Sequence, residues 1–297
     1  PTASGKTALG VDLALRVGGG VVNFDSVQIY RGIEIATAKP TVDEMRGVPH
    51  HLIDYVDPGV NYTAADWARD AVRTIAAIEG RGKIPVLVGG TGFYLRTLRE
   101  PLFDAPPTDP VLRTRLREIH GARGPEHLHR LLRRLDPELA ATLSPRDYVR
   151  VTRGLEFYFQ NHARLSERQP HRADPPEFAS RIRLFVLDPP RDELYARINE
   201  RTEAHFAAGL VEEVRDLLRS GVQAETNALG AHAYRRVCEY LRGERTLESA
   251  VEKSAQDVRN YAKRQLTWFR KESQAVWLQG FGTDTGMIDR LLGTTTE

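Results

Sequence analysis

The sequence predicts an α/β fold, an open parallel sheet with helices on both faces, interrupted by a helical insertion. Three observations lead there. The chain opens with "PTASGKT", in which Gly5-Lys6-Thr7 forms the closing part of a phosphate-binding loop, G-x-x-x-x-G-K-[ST], and runs directly into a helical pattern. Strand-like and helix-like segments then alternate through the first part of the chain, as strand–helix–strand units do. Beyond residue 110 the strands stop and an arginine-rich helical pattern takes over.

Each element has its own local reason. Residues 7–17 read as the helix that follows the loop. Residues 20–25, "GVVNFD", read as a short buried strand ending in a carboxylate. Residues 62–79 have helical spacing, with Thr63 or Asn61 as the cap. Residues 84–92, "IPVLVGGTG", form an apolar run ending in glycines, the form of a strand buried inside a parallel sheet, and a helix follows from Phe93. The turn-rich "DAPPTDP" at 104–110 marks a boundary, and 111–160 is helical with no convincing strand. A second proline-rich boundary, "RQPHRADPPEF", covers 168–178; "IRLFVLD" at 182–188 returns to strand character, and 189 to about 272 looks helical. The expected division is a P-loop-type core with C-terminal helices, 1–108 and 178–297, and a helical insertion, 109–177. A strand and the first loop glycine are expected upstream of Pro1, the strand in the middle of the sheet. No internal repeat or low-complexity tract is visible.

Composition bounds the function. A chain of 297 residues with 41% hydrophobic and 28% charged residues is that of a globular protein with a sizeable core. The single cysteine, Cys238, excludes a disulfide framework and a cysteine-rich zinc site, and points to the reducing cytoplasm. No apolar run approaches the roughly 20 residues that span a bilayer, so no membrane partner is expected. The net charge is +2, but residues 111–170 hold 12 Arg, no Lys and 7 acids, which is +5, leaving −3 elsewhere. Such a segment suits a polyanion; it equally suits a solvated helical surface.

In a phosphate loop, glycines let backbone N–H groups converge on the anion, and the following helix adds the positive end of its dipole. Lys6 supplies a point charge and Thr7 a hydroxyl suited to Mg²⁺. The competing reading is a Gly-Lys-Thr turn that only caps a helix. A carboxylate at a strand end would serve as base or metal ligand, and Asp25 and Asp188 both qualify by position. Asp188, before Pro189-Pro190, reads better as a turn carboxylate. Asp25 ends the first strand after the loop, at the edge where open α/β sheets bind ligands.

Five motifs occur in order: "PTASGKT", "DSVQIYRGIEIATAKP" from Asp25, "PHHLID" from Pro49, "VGGTGFYLRTL" from Val88 and "AKRQLTWFRK" from Ala262. Together they resemble the tRNA dimethylallyltransferase family, the tRNA isopentenyltransferases, over nearly the whole chain. The resemblance implies transfer of a dimethylallyl group from dimethylallyl diphosphate to N6 of the tRNA adenosine directly 3′ of the anticodon (position 37). It also implies that Pro1, Thr2, Ala3, Ser4, Gly5, Lys6 and Thr7 hold a diphosphate leaving group, with Arg201 helping and Mg²⁺ on Thr7. Asp25 matches the family's base and Thr91 the threonine of its reaction channel. Ser26, Val27 and Gln28 match the segment that contacts the target nucleotide, together with Asp25 and Thr91. Contacts to the tRNA anticodon stem-loop are implied for Arg113, for Val149, Arg150, Val151, Thr152 and Arg153, and for Gly230, Ala231, His232, Ala233, Tyr234 and Arg235. The last segment, Lys263, Arg264, Gln265, Leu266, Thr267, Trp268, Phe269 and Arg270, is implied in the same role. Wound as a helix it sets Val258, Ala262, Leu266 and Phe269 on one face and Arg259, Lys263 and Arg270 on an adjacent one, which also describes an ordinary amphipathic surface helix.

The sequence departs from the family in lacking the first loop glycine and in carrying Ala233 where a glycine usually precedes the tyrosine. His232 is also unexpected there and reads as packed or superficial, not catalytic. The zinc finger of eukaryotic members is absent, so the resemblance is to the bacterial form, expected to act as a monomer. Two other functions stay open on the residues alone: a P-loop small-molecule kinase with the insertion as its lid, and a tRNA-binding module without catalysis.

Overall fold

The structure, a computed structural model, describes residues 1–103, 108–168 and 173–294, and for His232 the backbone alone. Parts of both expected boundaries, 104–107 and 169–172, lie outside the described residues. The chain divides into two compact units, Pro1–Arg99 with Pro176–Glu297, and Glu100–Pro175.

In the first unit, helix α1 (Lys6–Val17) ends at Gly18, whose left-handed φ of 63° turns the chain into strand β1 (Gly20–Phe24). Helix α2 (Val42–Met45) and the two-residue strand β2 (His50–His51) follow. Helix α3 (Ala64–Glu79) starts at Thr63, one of the two caps expected: its hydroxyl accepts the Asp66 N–H and the Asp66 side chain bonds back to the Thr63 N–H. Strand β3 (Pro85–Gly89) leads to helix α4 (Gly92–Arg99). The strands run parallel in the order β2-β1-β3, with Val21 opposite His50 and Phe24 opposite Gly89. Every β1 residue is buried, and alternate side chains face opposite helices. Val22 and Phe24 pack with Trp67, Ala71, Ile75 and Ile78 of α3; Val21 packs with Val11 and Ala14 of α1. These are the helices on both faces that the sequence predicts. The β2 pairing was not legible, because two histidines carry no strand pattern.

Among its described residues the second unit holds helices and no strand: α5 (Pro110–Arg123), α6 (Pro125–Leu135), α7 (Pro137–Ala141), α8 (Tyr148–Asn161) and α9 (Leu165–Arg168). Leu116, Leu128, Leu132, Leu139, Val151 and Leu155 form its core.

The first unit resumes with strand β4 (Phe185–Asp188), helices α10 (Arg191–Ala207), α11 (Leu210–Arg219), α12 (His232–Leu241) and α13 (Leu247–Phe269), strand β5 (Val276–Gln279) and helix α14 (Met287–Gly293). Strands β4 and β5 form a second parallel pair. The expected single sheet is thus present as two groups. Between them lies an apolar cavity of about 880 Å³, lined by β3 from Pro85 to Gly89 and by β4 from Phe185 to Leu187, with Pro1 and Lys6 also on its wall.

Candidate active site

The polar groups converge elsewhere, at the carboxyl edge of β1 and β3. Because Phe24 pairs with Gly89, the residues just beyond each strand leave the sheet side by side. The Thr91 N–H donates to the Phe24 carbonyl at 3.2 Å, carrying the ladder one step further. The Thr91 hydroxyl accepts the Ser26 N–H at 3.0 Å and donates to the Ser26 hydroxyl at 3.2 Å. Asp25 Oδ1 accepts the N–H groups of Val27 at 2.9 Å and Gln28 at 3.4 Å, an Asx-type turn that fixes the carboxylate. Both bonds fall on Oδ1; Oδ2 takes none among the described residues.

The loop before α1 adopts the geometry that anion binding requires. Ala3 and Gly5 have positive φ, 60° and 81°, which turns successive amides to one side. Gly5 cannot be replaced without strain: beyond its φ, a Cβ there would stand 3.0 Å from the Thr283 nitrogen. Ser4 is fully buried, its hydroxyl donating to the Pro1 carbonyl at 2.7 Å, and its own carbonyl accepts the Gly282 N–H at 2.7 Å. No side chain caps α1, so its first amides stay open at the positive end of the helix dipole.

Two cations meet this loop. Lys6 donates to the Pro1 carbonyl at 2.8 Å, and Arg201 on α10 donates to the Thr2 hydroxyl at 2.8 Å. Burial pushes the Lys6 ammonium down to about 8; the Asp25 charge opposes that fall and Arg201 adds to it. Burial also lowers the Arg201 guanidinium, again with Asp25 opposing. A small cavity of about 30 Å³, room for roughly one water, is bounded by Thr2, Asp25, Arg201, Val27, Ala233 and Tyr261 among others. The loop, Arg201 and the carboxylate therefore share one site with a partly apolar wall, and Lys6 is close enough to feel the charges of both Asp25 and Arg201.

The other candidates separate by burial. Val151 and Thr152 are buried in the second unit, as Tyr234, Gln265 and Phe269 are in the first, which withdraws these side chains from any RNA-facing surface. The Tyr234 hydroxyl donates to Glu213 at 2.7 Å and accepts the Ala36 N–H at 3.1 Å. The Gln28 amide donates to the carbonyls of Thr37 and Ala38 at 3.0 Å each, holding its own loop. Arg113 pairs with the fully buried Glu156 at 2.6 Å, and Arg153 reaches the same carboxylate at 3.9 Å, so both arginines are engaged within the second unit. Leu266 and Trp268 are half-buried, the Arg96 guanidinium lying 4.4 Å from the Trp268 ring centroid. Val149, Arg150, Gly230, Arg235, Lys263, Arg264, Thr267 and Arg270 are exposed and Ala231 is half-buried; the His232 side chain lies outside the described residues. Asp188, at the end of β4, accepts a bond from Gln279 at 3.4 Å, and its charge acts on the Pro1 end of the loop.

One residue at the site was not singled out from the sequence. Tyr261 on α13 lines the small cavity, hydrogen-bonds to Thr91 and Gln265, and has its phenol pushed up by burial and by Asp25. It sits one place before the "AKRQLTWFRK" motif, and an isolated tyrosine in a helix gives no chemical signal. The donor set fits Mg²⁺: Thr7 offers a hydroxyl in the first turn of α1, and this cation takes phosphate oxygens and water more readily than an all-protein cage. Among the described residues, no group of three or more His, Cys, Asp or Glu is placed to hold a metal.

Fold and site together define a P-loop-type α/β protein. Residues 28–272 match the family model described as IPP transferase. The chain is 46% identical over 295 residues to a tRNA dimethylallyltransferase of Geobacter metallireducens, covering 99% of this chain and 94% of that one. It is similar, at 36% identity and a TM-score of 0.73, to the tRNA isopentenylpyrophosphate transferase of Bacillus halodurans, covering 100% of this chain and 93% of that one. A eukaryotic dimethylallyltransferase acting on tRNA matches with a TM-score of 0.78 and 27% identity, over 99% of this chain and 75% of that one. The chain belongs to the IPP transferase family.

Proposed function

We propose that this protein transfers a dimethylallyl group from dimethylallyl diphosphate to N6 of the tRNA adenosine 3′ to the anticodon, giving N6-isopentenyladenosine. One observation carries the reading: Thr2 of the anion-binding loop, Arg201 and the fixed carboxylate of Asp25 line one small, partly apolar cavity, with Lys6 close enough to feel both charges, in a chain of this family. The diphosphate lies on the loop amides, Lys6 and Arg201. The allylic C–O bond breaks with its electron pair passing to diphosphate, and these donors stabilise the charge where it develops. The adenine N6 attacks C1 of the allyl group, and the proton it sheds passes to Asp25 Oδ2. Mg²⁺ held by Thr7 would add positive charge beside the leaving group. The adenosine must leave its stack to bring N6 to Asp25, which costs a few kcal/mol. Exposed Arg150, Lys263, Arg264 and Arg270 are the candidate phosphate contacts. The reaction belongs in the cytoplasm, with its tRNA.

The test is incubation of the protein with tRNA, Mg²⁺ and radiolabelled dimethylallyl diphosphate, with a parallel reaction in γ-labelled ATP. Label is expected on tRNA from the diphosphate alone. Phosphoryl transfer from ATP in place of prenylation would favour a kinase, and tRNA retention without either transfer a binding module.

A further inference from the structure

We propose that Gln265 is a positioning residue for the transfer, its amide locking the phosphate loop to the turn that carries Thr91. This rests on the reaction assigned above. Gln265 is 4% exposed, four residues before the C-terminal end of α13. Its Oε1 accepts the Thr2 N–H at 2.7 Å, and its Nε2 donates to the Gly90 carbonyl at 2.9 Å. Thr2 and Gly90 lie 263 and 175 residues away in the chain. A primary amide is costly to bury unless its groups are bonded, and Leu or Met would fill the same helix position without that cost. What the amide adds is a bridge between the two segments of the site.

The surrounding geometry is shaped to seat it. A Cβ at Gly90 would stand 2.0 Å from Gln265 Nε2, and one at Gly92 would stand 2.2 Å from Trp268, so α13 closes on this turn only because both positions are glycine. One turn earlier on the same helix face, Tyr261 hydrogen-bonds to both Gln265 and Thr91 and lines the cavity beside Asp25. The leaving-group end (Thr2, Lys6, Arg201) and the acceptor end (Asp25, Ser26, Thr91) are therefore held at a fixed separation by α13 as well as by the sheet. Displacement at carbon needs reacting atoms about 3–3.5 Å apart, and a misplacement of about 1 Å can cost roughly a hundredfold in rate.

Two substitutions in the full chain test this. Gln265→Met keeps the volume and removes the amide. The expected result is a 30- to 100-fold fall in kcat, with tRNA Kd within twofold and the melting temperature within a few degrees. Gln265→Glu keeps the acceptor for Thr2, but regains a donor for Gly90 only when protonated. Its kcat relative to the unsubstituted protein should rise as pH falls, whereas the same ratio for Gln265→Met should stay flat. A purely packing role has no reason to produce that pH-dependent ratio. Unchanged kcat in Gln265→Met, or losses of tRNA affinity and melting temperature in proportion to kcat, would overturn the proposal. Should Gln265→Met not fold, a flat ratio for Gln265→Glu would overturn it equally. Failure of the unsubstituted protein to prenylate tRNA would instead sink the assigned reaction.

Discussion

At the scale of single residues, Lys6 links stability to chemistry. Its folded-state value of about 8 lies below that of a free lysine, so between that pH and about 10.4 the unfolded chain holds the extra proton. Stability therefore rises with pH across this window, and below it the cost of the buried charge is fully present. A bound diphosphate reverses the balance, because it favours the ammonium. Binding should take up a proton above about pH 8, and the Kd for dimethylallyl diphosphate should weaken about tenfold per pH unit there. Calorimetry at pH 9 in buffers of different ionisation enthalpy reads that uptake directly, and Lys6→Met should abolish it. The Lys6 contribution to that uptake should fade below about pH 8, where the free protein already holds the proton. Lys6 and Asp25 were singled out in the sequence by position, after a loop glycine and at a strand end, whereas Thr91 entered only through the resemblance. Gln265 entered only through the resemblance, as a tRNA contact, yet a signal for burial was present: a polar residue three places after the buried Ala262 and four before the buried Phe269.

At the scale of elements, the arginine-rich run shows what charge in a sequence does not reveal. Arg113 on α5 and Arg153 on α8 share Glu156, whose side chain is 0% exposed, so they hold two helices of the second unit together. Arg150, on the same helix, is 68% exposed and, among the described residues, pairs with Asp147, three residues before it. Removing one partner of a buried ion pair costs about 3–5 kcal/mol, against roughly 0.3–0.5 for an exposed helical pair. Glu156→Ala should accordingly lower unfolding stability by about 3 kcal/mol, and Arg150→Ala by under about 0.5. Denaturant melts of the full chain compare them; equal effects would show that the buried carboxylate does not organise the helices. From sequence, both arginines and Arg150 looked alike, because helical spacing does not say which of them a carboxylate on the same helix will draw inward. Strands β2 and β5 were missed for a related reason: short strands owe their existence to a neighbour, not to a pattern of their own.

At the scale of the whole molecule, a net charge of +2 gives too weak a field to gather RNA by itself. Attraction must come from local clusters such as Lys263, Arg264 and Arg270 at the end of α13, which are exposed while the same helix buries Ala262, Gln265 and Phe269. One helix thus offers cations on its outside and a clamp on its inside. The fold class and the family were readable from five short motifs; the bracing around the candidate site was not, since it depends on contacts between residues far apart in the chain. The central claim is that Asp25 takes the proton from the attacking adenine while the leaving diphosphate is held across the cavity. Single-turnover transfer by Asp25→Asn on saturating tRNA tests it most directly, with tRNA Kd measured on the same sample. The expected result is a rate lower by about 10²–10⁴ with affinity unchanged within a few-fold, the usual consequence of losing a general base. A normal transfer rate in Asp25→Asn, or a loss of rate matched by an equal loss of tRNA affinity, would contradict it.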